Sequence, residues 1–240
     1  MSPSHPSHPV FRPLLAAALA LLLLLAPAAP AAIIIQKFTT GFANDGVVPD
    51  IDSSGWQNTQ RLGAGAGLQV DHVTVTLDLS GGWNGDLYLT LRHETAGGVG
   101  FAVLLNRAGT AGGIGLGYGN PGFGPDASGT AFRLSDAGAW DVHYYQDHAP
   151  AYNASGQLTG TWKPDGDSFV SFQGLDAGGA WTLFAADRNG GDVTTVVSWG
   201  LEITTVPEPG PWLAIPLLLL GVALARRVRS RRACPCKSGI

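Results

Sequence analysis

The chain has 240 residues, 45% of them hydrophobic and only 13% charged, with 34 glycines, 16 prolines and a formal net charge of −4. It is too apolar for a disordered chain and too poor in charge for a coiled coil. Between Ile33 and Thr205 seven basic residues stand against seventeen acidic ones, a net of −10, which argues against nucleic acid as a partner because phosphate binding needs a basic face.

At the N-terminus Arg12 precedes an uncharged apolar run, Leu14 to Leu25, and then a stretch of Ala and Pro. Twelve residues reach about 18 Å as a helix, short of the roughly 30 Å hydrocarbon core. A run of this length followed by small residues predicts a cleaved secretory signal peptide over 1–31, with cleavage after Ala28 or Ala31. The retained-anchor alternative would keep the same segment in place.

The body, 32–205, reads as strands. In Val73–Leu79 the odd positions are apolar and the even ones polar, a period of two. Leu87, Leu89 and Leu91 repeat the pattern, and so do Val197, Trp199, Leu201 and Ile203. Shorter strands are predicted at Ile33–Phe38, Phe101–Leu105, Thr130–Leu134, Trp140–Tyr145, Ser168–Phe172 and Ala180–Ala185. Turn clusters separate them, among them Ser80–Gly85 and Asn189–Asp192. With no sustained helical period, the fold class is all-β, a sandwich or barrel, and some 170 residues suffice for one core.

The order of landmarks adds to this reading. Val48-Pro-Asp50 and the Val73–Leu79 strand are followed by Gly85-Asp-Leu-Tyr-Leu-Thr-Leu91 and Phe132–Asp136. Then come Trp162-Lys-Pro164, Phe169–Gly174, Gly179-Ala-Trp-Thr-Leu183, Ala186-Asp187 and Val197-Ser-Trp-Gly-Leu201. This series resembles the P domain (homology B domain) of subtilisin-like proprotein convertases. The resemblance implies a jelly-roll-like β-sandwich, which in convertases acts as a stabilising accessory domain beside a protease.

Catalytic constellations fail one by one. His93-Glu94 begins like a zinc-protease motif, but Gly97 stands where the second histidine belongs. His143 and His148 lack further ligands nearby and read as solvated loop residues. No Gly-x-Ser-x-Gly elbow occurs. Gly117–Gly122 satisfies G-x-G-x-x-G, but it follows no clear strand and Pro121 interrupts it, so it reads as a surface loop. These failures predict a protein that is not an enzyme.

Two binding chemistries remain. Asp86, Asp136 and Asp187 sit at loops or strand ends, and Asp187, Asn189 and Asp192 share one turn. Calcium takes six to eight oxygens from irregular loops and would staple a body without cysteine; the competing reading is that these Asp side chains cap turns. Trp56, Trp83, Trp140 and Trp162 fall in or near loops. Flat aromatics beside Asp and Asn suit a polysaccharide-binding face, and plain packing is the alternative. Trp181 and Trp199 are assigned to the core.

Gly210 to Ala225 is a second uncharged stretch, sixteen residues or about 24 Å as a helix. Arg226, Arg227, Arg229, Arg231 and Arg232 follow it, where positive-inside retention needs them, and Trp212 lies where an interfacial aromatic belongs. Snorkelling arginines close the remaining gap, which predicts a single transmembrane helix. Val206-Pro207-Glu208-Pro209, the apolar helix and the Arg cluster, over 206–232, resemble the PEP-CTERM sorting signal of bacterial exported proteins. That resemblance implies an exosortase as membrane-embedded partner, which would cut near Pro207-Glu208-Pro209 and deliver the body to the cell surface or extracellular matrix. The tail, 233–240, holds both cysteines, Cys234 and Cys236. The sequence thus predicts a non-catalytic exported surface or matrix protein that meets other surface proteins, or alternatively a carbohydrate-binding module.

Overall fold

The computed structural model of the chain describes residues 31–112, 114–166 and 168–206. The predicted signal peptide, apart from its last residue, lies outside the described residues, and so do the transmembrane helix, Arg cluster and tail of 207–240. Among the described residues no helix is long and apolar enough to cross a membrane.

Alternation of apolar and polar side chains decides the long strands. Strand β1 is Ile33–Phe38, β2 Trp56–Leu62, β3 Val70–Gly81, β4 Leu87–Thr95 and β5 Gly98–Asn106. Two short strands, β6 (Gly122–Phe123) and β7 (Phe132–Ser135), precede β8 (Thr161–Trp162); β9 (Gly179–Asp187) and β10 (Thr194–Thr205) complete the set. They form two sheets. One runs β1-β10-β3-β7-β8 with β6 also on β3, and the other β2-β9-β4-β5. Every pairing between strands is antiparallel except β7 with β8.

The described residues therefore form an all-β sandwich, and its core comes from the predicted alternations. Val73, Val75, Leu77 and Leu79 of β3 and Leu87, Leu89 and Leu91 of β4 are buried, as are Trp181 and Trp199. Each such side chain stabilises the fold by about 1.5–3 kcal/mol on full burial. His93, far from any metal motif, is wholly buried on β4 and stacks on Trp181 at 3.7 Å.

Three expectations need correcting. Trp140–Tyr145 is not a strand. Asp141 accepts the His143 N–H at 2.8 Å and caps a 3-10 segment, Val142–His148. Ser168–Phe172 is likewise not a strand: Phe169–Phe172 is a 3-10 turn whose two phenylalanines, three residues apart, both face the core. Val197 does not belong to the inward row of β10. A bulge between Val196 and Ser198 turns it outward, so Val196 is buried in its place. Strand β2 has no counterpart among the predicted strands.

Candidate functional sites

Asp86 and Asp187 meet at one corner of the sandwich. Leu87 pairs with Asp187 across β4 and β9, which sets both carboxylates at the same end of that pair. Both residues are buried. The Asp86 carboxylate interacts with the side chain of Asn189, yet its Oδ1 has no hydrogen-bond partner and lies 3.8 Å from the Arg107 guanidinium. Burial raises the Asp86 carboxyl above its ordinary range against the pull of Arg107. Burial likewise pushes Asp187 up to about 6, and the Asp86, Asp50 and Asp192 charges add to the effect against the Asn189 N–H. Asp50 is tied to the corner by the Gly191 N–H at 3.3 Å.

Asp136 does not join them. Its two oxygens both accept the Phe169 N–H at 3.1 Å, the turn-capping role, and it lines a separate open cleft of about 620 Å³ with Asp141 and Lys163. Among the described residues no three His, Cys, Asp or Glu side chains are grouped to hold a metal. What the corner offers a cation is two carboxylates, one with a buried oxygen that has no hydrogen-bond partner, and the neutral oxygens of the Asn189 turn.

The four tryptophans divide evenly. Trp56 and Trp162 are core residues and offer no ring to a sugar. The Trp56 indole N–H donates to the Ala43 carbonyl and that of Trp162 to the Thr159 carbonyl, each at 2.9 Å. Trp83 and Trp140 are exposed; Trp140 stacks flat on His148 at 4.1 Å. The tyrosines carry no signal in the sequence because they lie in segments far apart along the chain. Tyr144 and Tyr152 are exposed and Tyr118 is half-buried.

Beneath these rings lies a hydrogen-bonded hub. Asn84, fully buried, donates to the Tyr145 hydroxyl at 3.2 Å and to the Gly122 carbonyl, and its Oδ1 accepts the Gly122 N–H at 2.9 Å. The Tyr145 hydroxyl and the Gln146 amide both donate to Asn120 Oδ1 at 2.9 Å. Backbone bonds from Asn84 to Asn120 and from Gly85 to Tyr118 lock the two loops together. Gly85 and Gly117 touch backbone to backbone, where a Cβ would not fit. The G-x-G-x-x-G run thus ends in β6 rather than a helix, and its glycines serve close packing.

His143 is not a solvated loop residue. It is buried, with Nδ1 2.7 Å from Asp165 Oδ2 and Nε2 2.8 Å from the Thr110 carbonyl. A carbonyl oxygen only accepts, so Nε2 carries a proton; with Asp165 ionised Nδ1 carries a second and the ring is an imidazolium, although burial raises the Asp165 carboxyl against the pull of His143. Burial alone would lower its pKa, but the bonds to Asp165 and Thr110 outweigh burial and raise it.

No family model matches the chain, and no curated protein matches it. Solved structures similar to it include the serine protease of Aeromonas sobria in complex with its chaperone, at 17% identity and a TM-score of 0.42 over 78% of this chain and 29% of the other. The structure of the Aeromonas sobria serine protease matches at 19% identity and a TM-score of 0.42, over 79% and 29%. The chain spans less than a third of the length of either, and similarity this slight says nothing of activity or partner.

Proposed function

We propose that this is a non-catalytic exported protein: a P-domain-like, jelly-roll β-sandwich over 32–205, carried to the cell surface or extracellular matrix by its C-terminal sorting signal. The observation that carries this reading is the order of segments at the boundary. Strand β10 ends at Thr205, Val206 still donates its N–H to the Gln69 carbonyl at 2.9 Å, and the Pro-Glu-Pro segment begins at the next residue. The sandwich is thus complete where the sorting segment starts, so a cut at Pro207–Pro209 would release an intact module. The engagement of both His143 nitrogens supports the non-catalytic reading, since a ring so held has no nitrogen left to act as base. Calcium at the Asp86–Asp187 corner, where one buried oxygen lacks a hydrogen-bond partner and has only the Arg107 charge 3.8 Å away, would add stability outside the cell.

The test is co-expression of the full chain with an exosortase and mass measurement of the surface fraction. Loss of the segment after Pro209 is expected, and replacement of Arg226, Arg227 and Arg229 by Ala should leave the chain uncut. An uncut wild-type chain at the surface would refute the sorting mechanism. A second reading, polysaccharide binding by the released module, is favoured by the exposed rings above the Asn84–Asn120 hub.

A further inference from the structure

The geometry points to a binding site for neutral polysaccharide on the surface formed by Trp83, Tyr118, Tyr144 and Tyr152, with Gln146, which donates to Asn120, and Asp147 nearby; this rests on the second reading above and assigns it a place.

Five aromatic side chains are exposed among the described residues: Trp83, Phe101, Trp140, Tyr144 and Tyr152. Three of them stand at the hub. Trp83 precedes Asn84 in the chain and its indole lies over Gly119. Tyr144 precedes Tyr145, which packs edge-on against Tyr118 at 4.7 Å. The Tyr152 phenol lies beside the Asn120 side chain. Tyr118 also feels the Asp147 carboxylate and the Tyr144 and Tyr152 phenols, so these groups share one surface.

Three features of this surface select a sugar. Exposed rings cost solvation and are retained where they meet a flat apolar face, and a pyranose ring presents one on each side. The polar groups near the rings are an amide, a carboxylate and phenol hydroxyls, which match sugar hydroxyls as donors and acceptors. An apolar protein partner would leave them buried and unpaired. Asp147 sets a negative charge beside these rings, and Arg107 below the loops donates to the Gly85 and Gly115 carbonyls, so an acidic polysaccharide would meet like charge. Finally, the buried hub holds the loops beneath the rings before any ligand arrives, which lowers the entropy lost on binding.

The experiment is affinity electrophoresis of the full chain in mild detergent, through gels containing laminarin, galactomannan or, as the acidic counterpart, alginate. Retardation by a neutral polysaccharide and not by alginate is expected, with at least tenfold weaker retention for Tyr144→Ala/Tyr152→Ala. Phe101→Ala, an exposed ring on β5 away from the hub, should be retained like wild type. Both variants alter exposed side chains, and unchanged melting temperatures confirm their folding. Retention by neutral polysaccharide that survives the double substitution overturns the placement and leaves the second reading standing. Wild type that is retained in no gel overturns both, and preferential retention by alginate overturns the neutral selectivity.

Discussion

Replacing Asp165 by Asn tests the buried His143–Asp165 pair. The carboxylate accepts His143 Nδ1 at 2.7 Å and the Asn106 N–H at 2.8 Å, and both pair members are about nine-tenths buried. The amide introduced by Asp165→Asn would keep the volume and one carbonyl oxygen but not the charge. Removing one partner of a buried ion pair costs about 3–5 kcal/mol. The variant lets His143 become neutral and keep its bond to Thr110, so the lower end applies, about 3 kcal/mol. For a domain of this size each kcal/mol moves the midpoint by roughly 2–4 °C, so a fall of about 6–12 °C is expected at pH 6.

The sign of the pH dependence follows from the raised His143 pKa. Stability from a histidine with a raised folded pKa is fully present below its unfolded value, 6.5, and is lost as pH rises through the folded value. The gap between wild type and variant should therefore narrow toward pH 9. Thermal melts followed by circular dichroism from pH 6 to pH 9 measure it. A gap below about 1 kcal/mol at pH 6, or one that stays constant to pH 9, would refute the charged-pair assignment.

Three further outcomes are expected. Trp162→Ala empties a core site and removes the indole bond to Thr159, so it should cost about 3–5 kcal/mol in denaturant melts. Asp187, pushed up to about 6, binds more protons folded than unfolded, so its contribution falls as pH rises from about 4 to 6 and remains a cost above that. In chelator at pH 8, Asp187→Asn should accordingly raise stability by up to about 3 kcal/mol. Calcium should raise the melting temperature of wild type and not of this variant, and an equal response of the two would remove Asp187 from the cation corner.

The long strands were legible because each buries one face. A period of two in Val73–Leu79, or in Leu87, Leu89 and Leu91, has no other cheap explanation, and Trp181 and Trp199 lie on such rows. Strand β2 was hidden because its inward row is Trp56, Asn58 and Leu62, with a polar residue in the middle. Only the folded partner explains Asn58: its Oδ1 accepts the Trp199 indole N–H at 3.0 Å, so a group that looks solvated in the sequence is buried at little cost. The 3-10 segments at Val142–His148 and Phe169–Phe172 escaped for a related reason. Four to seven residues with mixed apolar positions fit a strand or a tight helix equally well, and the caps from Asp141 and Ser168 decide between them.

The sites divide in the same way. Residue type alone singled out Asp86 and Asp187, and the β4–β9 register then brought them together while Asp136 went to a turn. Residue type could not separate Trp83 from Trp56 or Trp162, because a loop tryptophan and a core tryptophan read alike until burial is known. Nor could it find Tyr118, Tyr144 and Tyr152, which come together around the buried Tyr145 and Asn120 only once the loops fold. By itself the sequence determined the all-β class, its central strands and the apolar character of the two chain ends, since these depend on local periodicity and run length; that the strands form two sheets rather than a closed barrel was decided by the tertiary structure. Tertiary structure alone decided which polar groups are buried and which rings remain in water, because both depend on partners far away along the chain.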